Sequence, residues 1–407
     1  MNNLSEKQIV NAWNQKLLDG DILVSEEGKQ VEVIYPGRPN DDRGADFRDA
    51  VIFTGEEVVK GDVEIHIRSS GWIEHGHHRD SAYNSVILHV VLWHNAKSPT
   101  TLQNGRIVPV LALENHIDIH DKRWFGAESA GYSLNVPCST GIRQQDTADF
   151  LEFIEESGEK RFLEKVAGFQ KDILRMGLGQ SLYRGIMGAL GYSRNKKPFF
   201  ELARRLPLHI LESADGSRLS DEDYLKRQQE LLLGTSGLLP EWYESRCSEP
   251  MSAGDWRLFK VRPNNSPLRR LVAMSYLLLR YREKGLLDGL IGFVGDIPAV
   301  RRCRRLERGL TVEALGSGRA ADIVINVLLP FTCAWSRHVS LPELERKSLS
   351  LFHDYPGTVM NSIERHMTEQ FGLDRNLVNF AARQQGLIHI YNNLCIQGRC
   401  SECVLAC

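Results

Sequence analysis

The sequence lacks the features of a membrane-spanning or exported protein. No stretch approaches the roughly 18 consecutive apolar residues that a membrane-spanning helix needs. The N-terminal segment, MNNLSEKQIVNAWNQKLL, has no continuous apolar core of the kind that a signal peptide carries. We therefore predict a cytoplasmic protein without a membrane partner, whose eight cysteines are reduced thiols or metal ligands rather than disulfides.

The sequence also has little net charge. Its 407 residues include 50 Lys and Arg against 52 Asp and Glu, which gives a formal net charge of −2. This balance provides no overall attraction to nucleic acid, so a polyanionic partner would need a local basic patch. The composition identifies no protein partner. A hydrophobic fraction of 42% is typical of a globular protein, and the length suits two or three domains.

The order of elements in the N-terminal third predicts an α/β domain. Ser5 and Gln8 form a candidate capping box at the start of an amphipathic helix over residues 5–18. Alternating or apolar runs predict strands over residues 30–35, 48–53, 58–68 and 86–93, with a hairpin turn at 54–57 and a short helix over 77–84. The predicted order is α-β-β-β-α-β. We predict an α/β domain over residues 1–140, a mostly α-helical domain over 141–385 and a cysteine-rich tail over 386–407.

Side chains of opposite polarity alternate along the strand predicted over residues 58–68. Val63, Ile65 and Ile67 point to one side, and Lys60, Asp62, Glu64, His66 and Arg68 point to the other. The simplest interpretation is a half-buried strand whose charged face meets water.

The start of the preceding strand offers a second interpretation of this charged face. If paired residues of the hairpin sum to about 110, Asp46 lies level with Glu64. A sum of 111 would instead place Asp46 opposite Ile65, on the apolar face. The sequence does not fix this register.

Gly44-Ala45-Asp46 followed by Glu64-Ile65-His66, within this order of elements, resembles the PD-(D/E)xK nuclease superfamily. The resemblance implies a restriction-endonuclease-like core in which Asp46 and Glu64 bind Mg²⁺ or Mn²⁺ and phosphodiester bonds of DNA or RNA are hydrolysed. His66 stands where that superfamily has Lys, as a base or a ligand, and Lys60 is the other candidate for this role. Further candidate cleft residues are Asp62, His75, His77 and Asp80.

Two other functions fit the same residues. Without the motif lysine, the scaffold would serve as a nucleic-acid-binding module that lacks catalytic activity. Eight of the thirteen histidines lie between His66 and His120, so the sequence also fits a zinc-dependent hydrolase that uses the histidines from His66 to His94. Its ligands would be His75, His77 and Asp80, with His89 or His94. The plain alternative is a polar turn and a hydrogen-bonded core histidine at His89.

The chain also resembles, over nearly its full length, an uncharacterised bacterial family that is catalogued as a domain of unknown function. The matching segments are residues 36–40, 44–47, 61–66, 70–72, 75–77, 80–83, 86–90, 262–267, 319–330 and 385–391. This resemblance implies a common fold and carries no settled activity.

Two basic segments interrupt the region of helical periodicity. Arg269 and Arg270 belong to the first, and Arg301, Arg302, Arg304 and Arg305 form the second. Basic side chains release counterions from a phosphate backbone, so these residues are candidate nucleic-acid contacts. The ordinary alternative is solvated helix faces that pair with nearby acids.

Four cysteines lie close together at the end of the sequence. The spacing of Cys395, Cys400, Cys403 and Cys407 suits tetrahedral zinc or an iron–sulfur cluster. The alternative is a set of free thiols packed as small hydrophobes. Iron–sulfur nucleases of the PD-(D/E)xK class combine three C-terminal cysteines with one distant cysteine, and this resemblance implies Cys138 in place of Cys407.

Overall fold

The computed structural model of the protein describes nine ranges of the chain, which are residues 5–14, 23–116, 138, 147–213, 219–239, 249–258, 261, 263–295 and 302–404. Contacts divide the chain into two compact units. Unit 1 comprises Met1–Gly158, Met360–Val378 and Gly386–Cys407, and unit 2 comprises Glu159–Val359 and Asn379–Gln385. The predicted division at residues 140 and 385 stays a prediction.

Unit 1 contains the predicted strands together with several shorter ones. In chain order its elements are α1 (Glu6–Asn14), β1 (Leu23–Val24), β2 (Gln30–Tyr35), β3 (Arg38–Pro39), β4 (Phe47–Phe53), β5 (Val58–Arg68), α2 (Gly71–Glu74), β6 (Val86–Trp93), β7 (Thr100–Thr101), β8 (Ile107–Val108) and β9 (Val110–Ala112). The predicted strands are confirmed, and residues 15–18 of the predicted helix lie outside the described residues. Two 3₁₀ turns, His77–Arg79 and Ser81–Tyr83, replace the single helix predicted over 77–84.

The main sheet of unit 1 mixes antiparallel and parallel pairs. Its order, within the described residues, is β1-β2-β4-β5-β6-β9, with β3 paired to β4. The pairs from β1 to β5 are antiparallel, whereas β6 runs parallel to both β5 and β9. Strand β6 therefore lies between two neighbours, and seven of its eight residues are buried, as its apolar run predicted.

A β-bulge in β4 changes the register of the predicted hairpin. Near the turn, paired residues sum to 111, as in Ala50 opposite Gly61. Beyond the bulge they sum to 110, because Phe47 pairs with Val63. Both registers considered from the sequence therefore occur in one hairpin, and the register of 110 holds beside Asp46.

Asp62 holds the bulge in place. Arg48 and Asp49 together oppose this one residue, and Asp49 adopts the left-handed conformation with φ 62°. The backbone N–H of Asp49 donates a 3.2 Å hydrogen bond to Asp62 Oδ1, and the Arg48 guanidinium pairs with Oδ2. The carboxylate thus stabilises both residues of the bulge.

The two largest apolar clusters among the described residues of unit 1 lie against its sheet. Ile9 and Trp13 of α1 cover one set of sheet side chains, which includes Val63 and Ile65. A second cluster joins Tyr35 and Val51 of the sheet to Phe150, Ile154, Met367, Phe371, Leu387 and Ile390. The sheet is therefore anchored both by the N-terminal helix and by segments from the C-terminal part of the sequence.

The rest of the described chain is mostly helical, as predicted. Its helices are α3 (Thr147–Met176), α4 (Leu178–Leu190), α5 (Tyr192–Arg205), α6 (Leu208–Leu211), α7 (Asp221–Ser236), α8 (Pro267–Arg280), α9 (Leu286–Gly295), α10 (Arg302–Leu310), α11 (Ser317–Ile323), α12 (Leu329–His338), α13 (Pro342–His353), α14 (Ser362–Gln370) and α15 (Ala381–Asn393). Among these described helices, none combines the length and the apolar character that crossing a bilayer requires.

Candidate metal centre

Asp46 and Glu64 meet where the bulge brings β4 level with β5. The backbone N–H of Asp46 donates a 3.1 Å hydrogen bond to Glu64 Oε2. In return, the backbone N–H of Ile65 donates a 3.0 Å bond to Asp46 Oδ2. A backbone N–H from the opposite side of the hairpin thus fixes each carboxylate. The second oxygen of each carboxylate can still accept a hydrogen bond or bind a cation.

The polar side of β5 is buried at this point. Asp62, Glu64 and His66 are 4%, 5% and 2% exposed. The simplest interpretation of the alternating pattern, a charged face that meets water, is therefore wrong for these three residues. Because burying charged groups is unfavourable unless they are compensated, this part of the strand requires specific partners.

Three histidines lie close together, and two of them approach Glu64. Ligand atoms of His66, His75 and His77 all lie within 4.8 Å of one another. Glu64 Oε1 is 3.1 Å from His77 Nε2 and 3.7 Å from His66 Nε2. We refer to Asp46, Glu64, His66, His75 and His77 as the acid–histidine cluster. His75 is its exposed member, whereas His66 and His77 are buried.

A chain of hydrogen bonds leads from this cluster into the core. His75 Nδ1 is 3.1 Å from His66 Nε2, His66 Nδ1 is 2.9 Å from His89 Nε2, and His89 Nδ1 is 2.9 Å from Thr100 Oγ1. A neutral imidazole has one donor and one acceptor, so the bonds must all run in the same direction. When His66 offers the Nε2 lone pair to a ligand, its Nδ1–H donates to His89 and His89 Nδ1–H donates to Thr100.

Burial controls the protonation of the cluster. It lowers the pKa of His66 to about 3, helped by the nearby His77 and His75. Burial also raises the pKa of Glu64, against the hydrogen bond from His77 and with the repulsion of Asp46. The pKa of Asp46 is raised by burial as well, although the Ile65 amide opposes the shift. His66 is therefore neutral near pH 7, which is the form that binds cations.

The segment after β5 closes over His66. A side-chain carbon at Gly71 would lie 2.8 Å from His66 Cδ2, so a residue without a side chain allows α2 to approach the ring. Tyr83 stacks on His77 with ring centroids 3.9 Å apart, and the Trp72 ring lies 5.4 Å from His77. These aromatic contacts fix the orientation of His77.

Three residues of the site escaped prediction. Glu6, in the first turn of α1, has its pKa raised by burial, and the same carboxyl interacts electrostatically with His75, Glu64 and His77. Burial and the charges of Glu64 and Asp46 raise the pKa of Tyr83 to about 12. Thr100 ends the hydrogen-bond chain. No distinctive signal in the sequence marks Glu6, because acids are common in the first turn of a helix.

Other predicted cleft residues have different partners. Lys60 Nζ donates a 2.6 Å bond to Gln397 Oε1. Asp80 forms a two-pronged ion pair with Arg43 and accepts a bond from the Ala82 N–H. Asp62 bonds Arg48 and the backbone N–H of Asp49 in the bulge. His89 bonds His66, whereas the backbone of His94 donates to Glu114 Oε1. Catalytic roles for these residues stay predictions.

The donor set of the acid–histidine cluster fits a divalent cation. Zinc–nitrogen bonds of about 2.0–2.1 Å place tetrahedral ligands about 3.3 Å apart, close to the 3.1 Å that separates Glu64 Oε1 from His77 Nε2. Imidazole nitrogens suit first-row transition ions, whereas Mg²⁺ takes oxygen ligands. The residues therefore fit Mn²⁺ or Zn²⁺ better than Mg²⁺.

The C-terminal cysteines approach Cys138. Burial raises the pKa of the Cys395 thiol well above its ordinary range, and Cys138, Cys403 and Cys400 raise it further. Cys138, Cys395 and Cys403 pack in the same apolar cluster. Cys407 lies outside the described residues. Cys138, Cys400 and Cys403 thus lie near the Cys395 thiol, and a metal site at these cysteines stays a prediction.

The predicted basic residues differ in exposure. Arg269, Arg304 and Arg305 are exposed, while Arg301 and the side chain of Arg302 lie outside the described residues. Arg270 is only 5% exposed, so its charge does not face solvent. Its Nη2 donates a 2.9 Å bond to Asn265 Oδ1, and Nη1 lies 3.3 Å from the Ala314 carbonyl oxygen. Nucleic-acid binding by this set stays a prediction.

A second, partly buried arginine lies near Arg270. The Arg319 guanidinium carbon is 3.0 Å from the centre of the Tyr192 ring, and Arg319 Nη1 is 3.2 Å from Asp322 Oδ2. Arg270 lies 5.7 Å from the same ring. We refer to Arg270, Arg319, Asp322, Tyr192 and Asn265 as the arginine cluster. Two cations in unit 2 thus lie near one carboxylate.

Comparisons with known proteins give one positive result. Neither a curated protein nor a solved structure matches the chain. A family model described as "Protein of unknown function (DUF2851)" matches residues 6–291. This match contains the acid–histidine cluster and confirms the predicted resemblance to an uncharacterised family. The chain belongs to this family.

Proposed function

We propose that the protein is a metal-dependent nuclease that hydrolyses phosphodiester bonds of DNA or RNA at the acid–histidine cluster. The observation that carries the proposal is the reciprocal bonding of Asp46 and Glu64 across β4 and β5, with three imidazoles beside them. The strand order around this pair, with β4 and β5 antiparallel and β6 parallel to β5, supports a PD-(D/E)xK-like core.

In this proposal, four residues of the acid–histidine cluster are metal ligands and the fifth accepts a proton. Asp46, Glu64, His66 and His77 would hold Mn²⁺, or Mg²⁺ with a poorer fit, and the cation would activate water and neutralise charge on the phosphate. His66 is a poor base because burial lowers its pKa to about 3, so it serves as a ligand. His75 is exposed, and we assign to it the proton that leaves the attacking water. The water oxygen bonds to phosphorus as the bond from phosphorus to the leaving oxygen breaks.

A cleavage assay on the full chain tests the proposal. Single-stranded and duplex DNA and RNA are incubated with Mn²⁺, Mg²⁺ or a chelator. We expect cleavage that requires a divalent cation and falls at least about 100-fold in Asp46→Asn and Glu64→Gln, because each variant removes a charged ligand. Glu56→Gln is the matched control, since Glu56 is an exposed acid at the hairpin turn.

The outcomes separate the three candidate functions. Cleavage that survives both Asp46→Asn and Glu64→Gln would exclude this site. Salt-dependent binding of nucleic acid without cleavage in any cation would instead favour a binding module on the same scaffold, which the absence of the motif lysine also suggests.

A zinc-dependent hydrolase of a small substrate is the second candidate. The mutual distances of His66, His75 and His77 favour it, because three imidazoles are a common catalytic zinc ligand set. Metal analysis of a variant in which Cys138, Cys395, Cys400 and Cys403 are replaced by Ser tests it. Retained zinc that is lost in His66→Gln would support this function, and no zinc would exclude it.

We also propose a metal centre at Cys138, Cys395, Cys400 and Cys403, with zinc or an iron–sulfur cluster as the bound group. Its role would be structural, because it would fix the end of the chain to unit 1. Absorption spectra and analysis for iron, sulfide and zinc in protein purified without oxygen identify the group. We expect Cys138→Ser to lose it and Cys333→Ser to keep it, since Cys333 is a buried cysteine in unit 2.

A further inference from the structure

A cavity of about 630 Å³ opens in unit 1 along the same two strands that carry Asp46 and Glu64. Nine of its ten lining residues are polar or charged, and four of them are basic, namely Arg38, Arg48, Lys60 and Arg106. The acids in the wall are Asp42, Asp49 and Asp62. A cavity of this composition suits a charged ligand rather than an apolar one.

The four basic side chains outnumber the three acids, so the wall keeps a net positive charge for a ligand. Asp62 pairs with Arg48, and Asp49 Oδ2 accepts a 2.6 Å bond from the Tyr391 hydroxyl. Lys60 bonds the neutral amide of Gln397, and Arg106 Nη2 donates to the Val86 carbonyl at 2.5 Å. Lys60 and Arg106 are both exposed, so an anion that enters the cavity can reach them.

The position of the cavity relates it to the acid–histidine cluster. Arg48 and Asp62 line the cavity, and each lies two residues along its strand from Asp46 or Glu64. Lys60, which also lines the cavity, lies four residues along β5 from Glu64, or about 13 Å at about 3.3 Å per residue. A nucleic-acid strand advances about 3.4 Å per nucleotide, so this distance corresponds to about four nucleotides.

We propose that this cavity binds a phosphate of the substrate strand a few nucleotides from the scissile phosphate, through Lys60 and Arg106. The substrate would then be a polynucleotide that follows β4 and β5, rather than a mononucleotide. This inference rests on the proposed function for the place of the scissile phosphate. Binding in the cavity itself can be measured without any cleavage.

Fluorescence anisotropy with a labelled 12-nucleotide single-stranded DNA tests the inference. The full chain carries Asp46→Asn so that the probe is not cut, and dissociation constants are measured from 50 to 200 mM salt. One lost phosphate contact reduces the salt slope by about 0.7, or about fivefold in affinity at 0.1 M salt. We expect this loss in Lys60→Gln, a similar loss in Arg106→Gln, and recovery in Lys60→Arg.

The matched control is Lys29→Gln, because Lys29 is an exposed lysine of unit 1 that does not line the cavity. Parental affinity and slope in the double variant Lys60→Gln with Arg106→Gln would overturn the inference. Equal competition by inorganic phosphate and by unlabelled DNA, at the same phosphate concentration, would also overturn it, because the cavity would then bind free phosphate.

Failure of this inference and failure of the proposed function give different results. If the wild-type chain cleaves DNA while the double variant binds like its parent, the cavity is not the phosphate site and the nuclease remains. If no cation supports cleavage while Lys60→Gln and Arg106→Gln weaken binding, the cavity stands and the catalytic proposal fails.

Discussion

The two units each bury a polar cluster, and the two clusters carry charge of opposite sign. The acid–histidine cluster in unit 1 contains Asp46 and Glu64, and their hydrogen bonds described above come from backbone N–H groups and imidazole. The arginine cluster in unit 2 contains two guanidiniums and the single carboxylate of Asp322. Each therefore departs from the rule that buried charges are balanced by side chains of opposite sign.

The surroundings of these charges differ in a way that separates a structural cluster from a functional one. Arg270 and Arg319 bond to a carbonyl, an amide and a carboxylate and lie against the Tyr192 ring, so their charge is spread over partners within the protein. In unit 1, by contrast, the three imidazoles offer ligand atoms within 4.8 Å of one another beside Glu64, and His75 is exposed to solvent. We infer that the arginine cluster stabilises unit 2. The acid–histidine cluster, by contrast, destabilises unit 1 when no cation is bound and serves to bind one.

The largest expected effect tests the arginine cluster. Arg270→Leu should lower the free energy of unfolding by about 3 kcal/mol, because it leaves the Asn265 amide oxygen and the Ala314 carbonyl without their donor. It also removes one of the two cations near Asp322. Arg269→Leu is the control, since Arg269 is exposed, and it should change stability by less than about 0.5 kcal/mol. Urea unfolding followed by circular dichroism measures both. An Arg270→Leu chain as stable as wild type would remove the distinction between the clusters.

Acid sensitivity tests the histidines of unit 1. Burial lowers the pKa of His66 to about 3, from 6.5 in the unfolded chain. Between these values the unfolded state binds more protons, so stability rises with pH and is lost as pH falls below about 6.5. We expect a loss of about 1.4 kcal/mol per pH unit from this ring between pH 6 and pH 4.

His66→Gln should remove this pH dependence. The control is His116→Gln, which should keep it, because the ring of His116 makes a solvent-exposed contact with a backbone carbonyl oxygen of β1 at the edge of the sheet. The measurement is urea unfolding across this pH range, followed by tryptophan fluorescence, because Trp72 lies 5.3 Å from His89 and 5.4 Å from His77. The same slope in His66→Gln and wild type would show that the His66 ring is not held neutral by the fold.

The smallest expected change in stability concerns Glu64. Glu64→Gln should raise the free energy of unfolding by about 1 kcal/mol near pH 7, as is common when a functional charge is removed. Because burial raises the pKa of Glu64, the gain should vanish as pH falls through that pKa toward 4.5, where wild-type Glu64 is protonated.

Mn²⁺ should make the wild-type chain more stable than Glu64→Gln. It should stabilise wild type by about 2.7 kcal/mol at 100 times the dissociation constant, and Glu64→Gln much less. Thermal unfolding with and without Mn²⁺ checks this, with Glu56→Gln as the control. A Glu64→Gln chain that is less stable than wild type without any cation would mean that Glu64 is structural, like Arg270.

The elements of unit 1 could be predicted from the sequence because their signals are local. Alternation over residues 30–35 and 58–68 and the apolar run over 86–93 each depend on neighbouring residues, and these strands occur where they were predicted. The resemblance to an uncharacterised family could be identified for the same reason, since matching segments are continuous. Local patterns therefore sufficed for the strands and for the choice of Asp46 and Glu64.

The geometry of the site could not be predicted, because it depends on one residue and on distant partners. No sequence rule places a bulge at Asp49, an acid that adopts a positive φ. Glu6, Tyr83 and Thr100 come from three other elements, and their approach to the cluster follows from packing. Lys60 was grouped with Glu64 by alternation alone, whereas its ammonium bonds Gln397 near the end of the chain.

The bulge has a consequence for how relatives of this chain are recognised. Because Arg48 and Asp49 share one partner, the two acids are 18 positions apart in the sequence while their strands are level. A relative with an uninterrupted strand and the same turn would bring its acids level at a separation of 17. A motif search with one fixed spacing would therefore separate proteins that share the same chemistry, whereas a search that permits either interval would unite them.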